Sequence, residues 1–328
     1  EKTTEIKDDE GNSVWIPKDF GVDEDSATNQ DEGIVITDEI GNEFVWVPVP
    51  DPSTMFETVE EPVTLSDGVT KTNKYSKLRV REGDNYTASI PGDDSGGSIR
   101  EPDVLISCDD NSSYIEELGY GDITEMAEDL VREYNEMAKS IETYHGFYIG
   151  RYELSGTKEK PTVKAGAVLT ASSSSANMWY GLKKACQEVI KNNTEVKSTM
   201  IYGCQWDETM SWLKRTKFVG EEEKVDEDSR SWGNYEDSIS PANVSGYGSK
   251  QNTGYSENWS ANKIYDLAGN YRDWTQEASD TNNRIYRGGF YGDSGSDLPG
   301  SYRVNSSPEN ALSYYTARAT LIISDTVS

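Results

Sequence analysis

Oxygen chemistry concentrates in one run, Asn262 to Phe290, NKIYDLAGNYRDWTQEASDTNNRIYRGGF. Asp266, Gly269, Asn270 and Asp273 lie around a Gly-Asn turn there. Such a turn can bring carboxylates and backbone carbonyls to one point, the kind of oxygen cage a hard cation needs. The same residues can instead cap turns and pair with neighbours such as Arg272; both readings stay open. Other chemistry is poorly supplied. His145 is the only histidine, so any Ser-His-Asp or Cys-His arrangement would have to use it. A catalytic zinc site, which recruits several His or Cys, is not expected. Gly246-Tyr247-Gly248-Ser249-Lys250 is glycine-rich but lacks phosphate-loop spacing and a strand-to-helix setting.

The elements that must position these groups belong to a chain of 328 residues with net charge −28. That charge repels nucleic-acid phosphates and anionic lipid, so neither is an expected partner. Hydrophobic content is only 34%, but 8 Trp and 20 Tyr supply bulk for a core. No apolar run approaches the roughly 20 residues that span a bilayer. Cys108, Cys186 and Cys204 allow at most one disulfide, with Cys186–Cys204 one pairing to consider. The chain begins at Glu1 rather than Met, which is compatible with a removed signal or anchor.

Two N-terminal runs repeat. Asp9-Glu10-Gly11-Asn12-Ser13-Val14-Trp15-Ile16-Pro17 is echoed by Glu39-Ile40-Gly41-Asn42-Glu43-Phe44-Val45-Trp46-Val47-Pro48. Each predicts a Gly-Asn turn and a short strand. Residues 1–32 are expected to form a satellite hairpin or tether, with an acidic linker after Val22. From Pro50 to Gly121 the pattern is weak, with apolar islands such as Val104-Leu105-Ile106. Met126, Leu130, Tyr134, Met137 and Ile141 then recur at helical spacing, with Asp122 or Thr124 as cap. Gly146 to Leu154 reads as a strand, 172–175 as a polar loop, Met178 to Ile190 as a second helix and Asp207 to Leu213 as a third. Met200-Ile201-Tyr202, Arg284-Ile285-Tyr286 and Ala317 to Ile323 read as strands. Glu221 to Trp259 is polar and reads as a long excursion.

Several motifs resemble the formylglycine-generating-enzyme (sulfatase-modifying factor) branch of the C-type lectin fold. They are Ile264-Tyr265-Asp266-Leu267-Ala268-Gly269-Asn270-Tyr271-Arg272-Asp273-Trp274, then Arg287-Gly288-Gly289, then Arg303 and Arg318, with Phe147-Tyr148-Ile149-Gly150-Arg151-Tyr152-Glu153-Leu154 upstream. Arg272 stands where the family has a tryptophan. The resemblance runs from about Gly33 to Ile323. It implies an α+β fold, loop-rich, with twisted antiparallel sheets and two or three helices. The implied domain is 33–323, with a variable-type region at 284–318. The family's copper-holding cysteine pair would fall between Gly289 and Arg318, where no cysteine exists; one histidine cannot supply the cluster of its iron-dependent relatives. No catalytic residue is assigned. Some family members hold structural Ca²⁺ at the turn; carried over, its ligands would be the side chains of Asp266 and Asp273 and the carbonyls of Gly269 and Tyr271.

Phe290 to Thr316, FYGDSGSDLPGSYRVNSSPENALSYYT, is rich in Tyr, Ser, Gly and Asn, the palette of antibody combining sites. This placement resembles the variable proteins diversified by retroelements. There, adenine-directed mutation of AAY codons cannot yield Lys, Glu, Gln, Met or Trp. Only Glu309 of that set occurs in the window, where whole-chain composition predicts about five or six. The candidate contact residues are Tyr286, Phe290, Tyr291, Asp293, Ser294, Ser296, Asn305, Ser306, Asn310, Tyr314 and Tyr315. Arg287, Gly288, Gly289, Arg303 and Arg318 are expected to be scaffold. The expected function is non-enzymatic binding, of adhesin or receptor-binding type, to a protein or glycan on another cell or virus. The expected setting is extracellular, at a bacterial cell surface or on a phage particle. The alternatives are an enzyme of the same superfamily with a non-standard site, or a structural surface or pilus subunit.

Overall fold

The computed structural model describes residues 3–64, 70–78, 115–116, 118–171, 178–280 and 283–324. Cys108, the island at 104–106 and the loop at 172–175 lie outside them.

Both N-terminal repeats fold as hairpins closed by one turn chemistry. Strands β1 (Thr4–Lys7) and β2 (Ser13–Ile16) pair antiparallel around the first. Strands β4 (Val35–Asp38) and β5 (Glu43–Pro48) pair around the second. In the first turn Asp8 accepts from the backbone of Glu10 and Asn12 and from the Asn12 amide; in the second Asp38 does the same for Ile40 and Asn42. Gly11 and Gly41 follow at φ 84° and 90°, a conformation that favours glycine.

The segment expected to be a satellite hairpin or tether contains the β1–β2 hairpin and is docked. Strand β3 (Phe20–Val22) joins β4 as the edge of a six-stranded antiparallel sheet. That sheet runs β11 (Val196–Met200), β18 (Ala319–Ile323), β8 (Gly146–Gly150), β5, β4, β3, and the two-stranded pairs β6 (Phe56–Thr64) with β7 (Thr70–Leu78), β9 (Ser155–Gly156) with β10 (Pro161–Thr162) and β12 (Ser260–Ala261) with β13 (Ile264–Tyr265) are separate from it. The Tyr148 hydroxyl donates to Trp15 O at 2.9 Å, and Val14 and Ile16 are buried in the core.

Alternation along the central strands divides the core in two. Val45, Val47, Phe147, Ile149 and Ile322 face one layer; Phe44, Trp46, Tyr148, Leu321 and Ile323 face the other. The first layer is filled by α1 (Ile123–Tyr144), whose stripe Met126, Leu130, Tyr134, Met137 and Ile141 is buried, and by α3 (Gly203–Arg215) through Trp206, Met210 and Leu213. The second is filled by α2 (Trp179–Glu188) through Trp179, Leu182 and Cys186, and by β2. Gly146 is required by this packing: a Cβ there would lie 2.1 Å from the Trp46 ring.

Asp122 caps α1 by accepting from Glu125 N at 2.9 Å, and His145 ends the helix at φ 56° with its Nδ1 3.2 Å from Pro50 O. Helix α3 starts at Gly203, earlier than the sequence pattern suggests, because the Gln205 side chain reaches back to accept from Tyr202 N. The strand expected through Leu154 stops at Gly150, where the chain turns and Glu153 enters the interior. Cys186 and Cys204 are both buried and not joined in a disulfide, so the pairing considered for them does not form.

The chain is a mixed α+β protein with mostly antiparallel sheets. A second sheet, of four strands, carries the C-terminal region: β16 (Arg303–Ser306), β15 (Asn283–Arg287), β14 (Arg272–Asp280) and β17 (Tyr315–Ala317), the last pair parallel. Between the two sheets lies a buried polar knot. Lys183 Nζ donates to Glu133 and Gln276, and Glu133 also accepts from Thr199 and Tyr202. No helix of the described residues is long and apolar enough to cross a membrane.

Candidate functional site

The Gly-Asn turn sits between β13 (Ile264–Tyr265) and β14, and it is built by close backbone approach. Asp266, Gly269 and Asn270 all have positive φ. A Cβ on Gly269 would lie 2.1 Å from Asn234 O, so only glycine fits. Asn234 and Asn270 bind each other through backbone and side-chain amides. Glu153 staples the turn, accepting from Tyr271 N at 3.0 Å and the Asn270 amide at 2.8 Å.

Three buried carboxylates meet here: Glu153, Asp266 and Asp273. Asp266 Oδ2 accepts from Thr253 Oγ1 and Gly254 N, both at 2.9 Å. Asp273 Oδ2 takes Arg318 Nε at 3.3 Å, while the rest of that guanidinium donates to Gly150 O and Tyr265 O. One guanidinium cannot balance three buried carboxylates. Burial, then the charges of Asp266 and Asp273, pushes Glu153 well above the usual carboxylate range. Burial pushes Asp266 up to about 6. Burial does the same to Asp273, to about 6, with Arg318 opposing.

Asp266 Oδ1 and Asp273 Oδ1 are buried without a hydrogen-bond partner. Among the described residues, no group of three or more His, Cys, Asp or Glu is arranged to hold a metal ion. A cation here would therefore depend on two carboxylate oxygens supplemented by backbone oxygens. Those two orphaned anionic acceptors are the donor chemistry calcium takes.

The C-terminal surface is organised by Arg272. Its guanidinium lies over the rings of Phe290 (4.7 Å), Tyr286 (4.9 Å), Tyr314 (5.1 Å) and Tyr315 (5.9 Å). Asp293 clamps it with both oxygens, at 2.8 and 2.9 Å from Nη2. Asp293 also accepts from Phe290 N, so one carboxylate fixes both the cation and the loop. Phe290 and Tyr314 stack at 4.3 Å with 19° between planes.

The candidate contact residues separate on exposure. Phe290, Tyr291, Asp293, Ser294, Asn305, Ser306 and Tyr314 are half-buried, and Ser296 and Asn310 are exposed. Tyr286 and Tyr315 are only 6% and 3% exposed, set apart from the other candidates by their burial. They pack against Trp274 at 5.7 and 5.0 Å, because their strands turn them inward. Tyr302 and Leu312, passed over in the sequence, are exposed in the same window.

The expected scaffold residues are all buried. Arg287 Nη2 donates to Asp207 Oδ1 at 2.8 Å and Ser301 O at 2.6 Å, and Arg303 pairs with Glu277. Part of the support comes from the polar excursion. The Tyr235 hydroxyl contacts Gly288 O and Leu298 O, and Asp237 accepts from Ser294 Oγ and Gly295 N. The signal for this was the aromatic pair Trp232 and Tyr235 within a mostly polar run; both are buried.

No family model and no curated protein matches the sequence. Among solved structures the chain has a distant likeness to Treponema denticola variable protein 1. Identity is 13%, over 86% of this chain and 96% of that one, with a TM-score of 0.28. At that score the likeness carries no argument about function.

Proposed function

We propose that this protein is a non-enzymatic binding protein whose contact surface is the C-terminal loop region around Phe290, Tyr291 and Tyr314. The supporting observation is the aromatic group itself. Half-exposed rings are held in place by the Arg272–Asp293 clamp, above buried arginine pairs that fix the loops. Preorganised aromatics are what a contact surface needs, since little ordering entropy remains to be lost on binding. Within this reading the fold is of C-type lectin type, and the domain runs from Gly33 to Ile323 with residues 1–32 docked on its sheet. The ligand is a protein or glycan of another cell or virus, and the setting is extracellular. Retroelement diversification of the window 290–316 is part of the proposal. So is Ca²⁺ at the turn, seated on Asp266 Oδ1 and Asp273 Oδ1 with backbone oxygens of Gly269 and Tyr271.

The testing experiment is on the gene. Flanking DNA is sequenced and searched for a near-copy of the codons for Phe290 to Thr316. A copy differing only at adenines, beside a reverse transcriptase, is the expected result, and the differing codons then name the contact residues. Absence of a copy removes the diversification claim.

A further inference from the structure

The two N-terminal turns provide an internal comparison. Both use the same Asp–Asn hydrogen bonds, which do not involve the side chains at their tips. The first turn carries Asp9 and Glu10 at its tip, both exposed, as expected of a solvated loop. The second carries Glu39 and Ile40, and Ile40 is 58% exposed. The turn does not require an isoleucine there, because its twin folds with a glutamate.

What Ile40 does face is a groove. A cavity of about 620 Å³ lies between this turn, the Glu159–Thr162 hairpin arm and the end of α2. Its apolar lining includes Phe20, Pro161, Val189 and Ile190 beside Ile40. Its rim is acidic. Of five lining carboxylates, Asp38 is spent in its own turn and Glu188 pairs with Lys191. Asp19, Glu39 and Glu159 remain, with Lys160 as the other rim cation. Helix α2 ends at Glu188, so its negative pole points to the same place.

From the exposed apolar tip, the apolar floor and the acidic rim together, we infer that this groove docks a short segment of a partner protein bearing aliphatic side chains between Lys or Arg residues. Charge complementarity selects the partner: the rim and the helix end both attract cations, and the floor takes the aliphatic groups. The groove is separate from the C-terminal surface and shares none of its residues.

The test uses a fluorescein-labelled Lys-Leu-Lys-Leu-Lys peptide and the full chain, read by anisotropy. Saturable binding that weakens with added salt is expected. Glu39→Lys and Glu159→Lys should each weaken it about fivefold or more, and Ile40→Ser about fivefold through lost apolar contact. All three are surface changes, and unchanged melting verifies the fold. Glu223→Lys, outside the groove, should leave binding unaltered. Equal loss in Glu223→Lys would mean attraction to a polyanion in general and would overturn the inference. So would absence of saturation. Concentration-dependent dimerisation abolished by Ile40→Ser would make a second copy of this chain the occupant, which also overturns it.

Discussion

Replacing Tyr315 and its neighbour Tyr314 with alanine, one at a time, tests the division between surface and core in the C-terminal window. Tyr315 is 3% exposed and packs against Trp274 at 5.0 Å and Tyr286 at 5.1 Å, on a strand paired with β14. Removing such a ring leaves a cavity as well as lost burial, about 3–5 kcal/mol for a large aromatic. For a chain of this size each kcal/mol moves the thermal midpoint by roughly 2 °C, so Tyr315→Ala should melt about 6–10 °C lower. Tyr314 is half-buried and its main partner is the stacked Phe290 ring. Losing that stack costs about 1 kcal/mol, or roughly 2 °C. Differential scanning calorimetry of the two variants beside wild type reads both values in one experiment. Equal midpoints for the two variants would refute the assignment, and a larger loss in Tyr314→Ala would reverse it.

Three further outcomes are expected. Lys183→Met should destabilise by about 3–5 kcal/mol, because it strands the buried Glu133 charge; a denaturant titration measures it, and a loss under 1 kcal/mol would mean the knot is wet. Burial alone would raise Glu133, but Lys183, Lys197 and hydrogen bonds from Tyr202 and Gln276 outweigh it and hold the carboxyl at about 2, against 4.5 unfolded. A depressed folded value stabilises above the unfolded one, so the stability gap between wild type and Glu133→Gln should be full above pH 4.5 and shrink as pH falls toward 2; a gap that does not change with pH would contradict this. Calcium should raise the thermal midpoint relative to EDTA, by about 2.7 kcal/mol of stability at a hundredfold excess over its dissociation constant, and Asp266→Asn should abolish the rise; no calcium response in wild type would remove the ion from the proposal.

Legibility in the sequence followed the range of the interactions. The stripe Met126 to Ile141 could be read because each member meets its neighbours within one helix. The two hairpin turns could be read because Asp8 and Asp38 bind only a few residues away. The docking of residues 1–32 could not. It depends on Tyr148 reaching Trp15 O and on β3 completing a sheet edge, contacts that no local pattern carries. The start of α3 was missed for a smaller reason: Gln205 reaches back to the N-cap backbone, but the N-cap is Tyr202, so the Ser/Thr that normally marks such a box in sequence is absent.

At the candidate site the same limit took a more instructive form. Composition marks Phe290 to Thr316 as a tyrosine-rich surface, but composition does not say which way a ring points. Tyr314 and Tyr315 are adjacent on the chain, but Tyr314 ends the turn before β17 and stays half-buried, whereas Tyr315 opens the strand and is buried. The residue that orders the rings, Arg272, lies outside the window; in the sequence it stood out as a departure from the resembled motif and as a pairing candidate for the turn carboxylates, whereas it pairs with Asp293. A tryptophan there would add one more apolar ring. An arginine instead offers both faces of its plane to aromatics and its edge to a carboxylate. Asp293 supplies that carboxylate from within the window and fixes the Phe290 backbone as well. The clamp thus ties a strand position to the loop that carries the contact rings. If window residues vary among copies of this protein, Asp293 should vary least among the polar ones, because changing it frees a half-buried guanidinium as well as a loop.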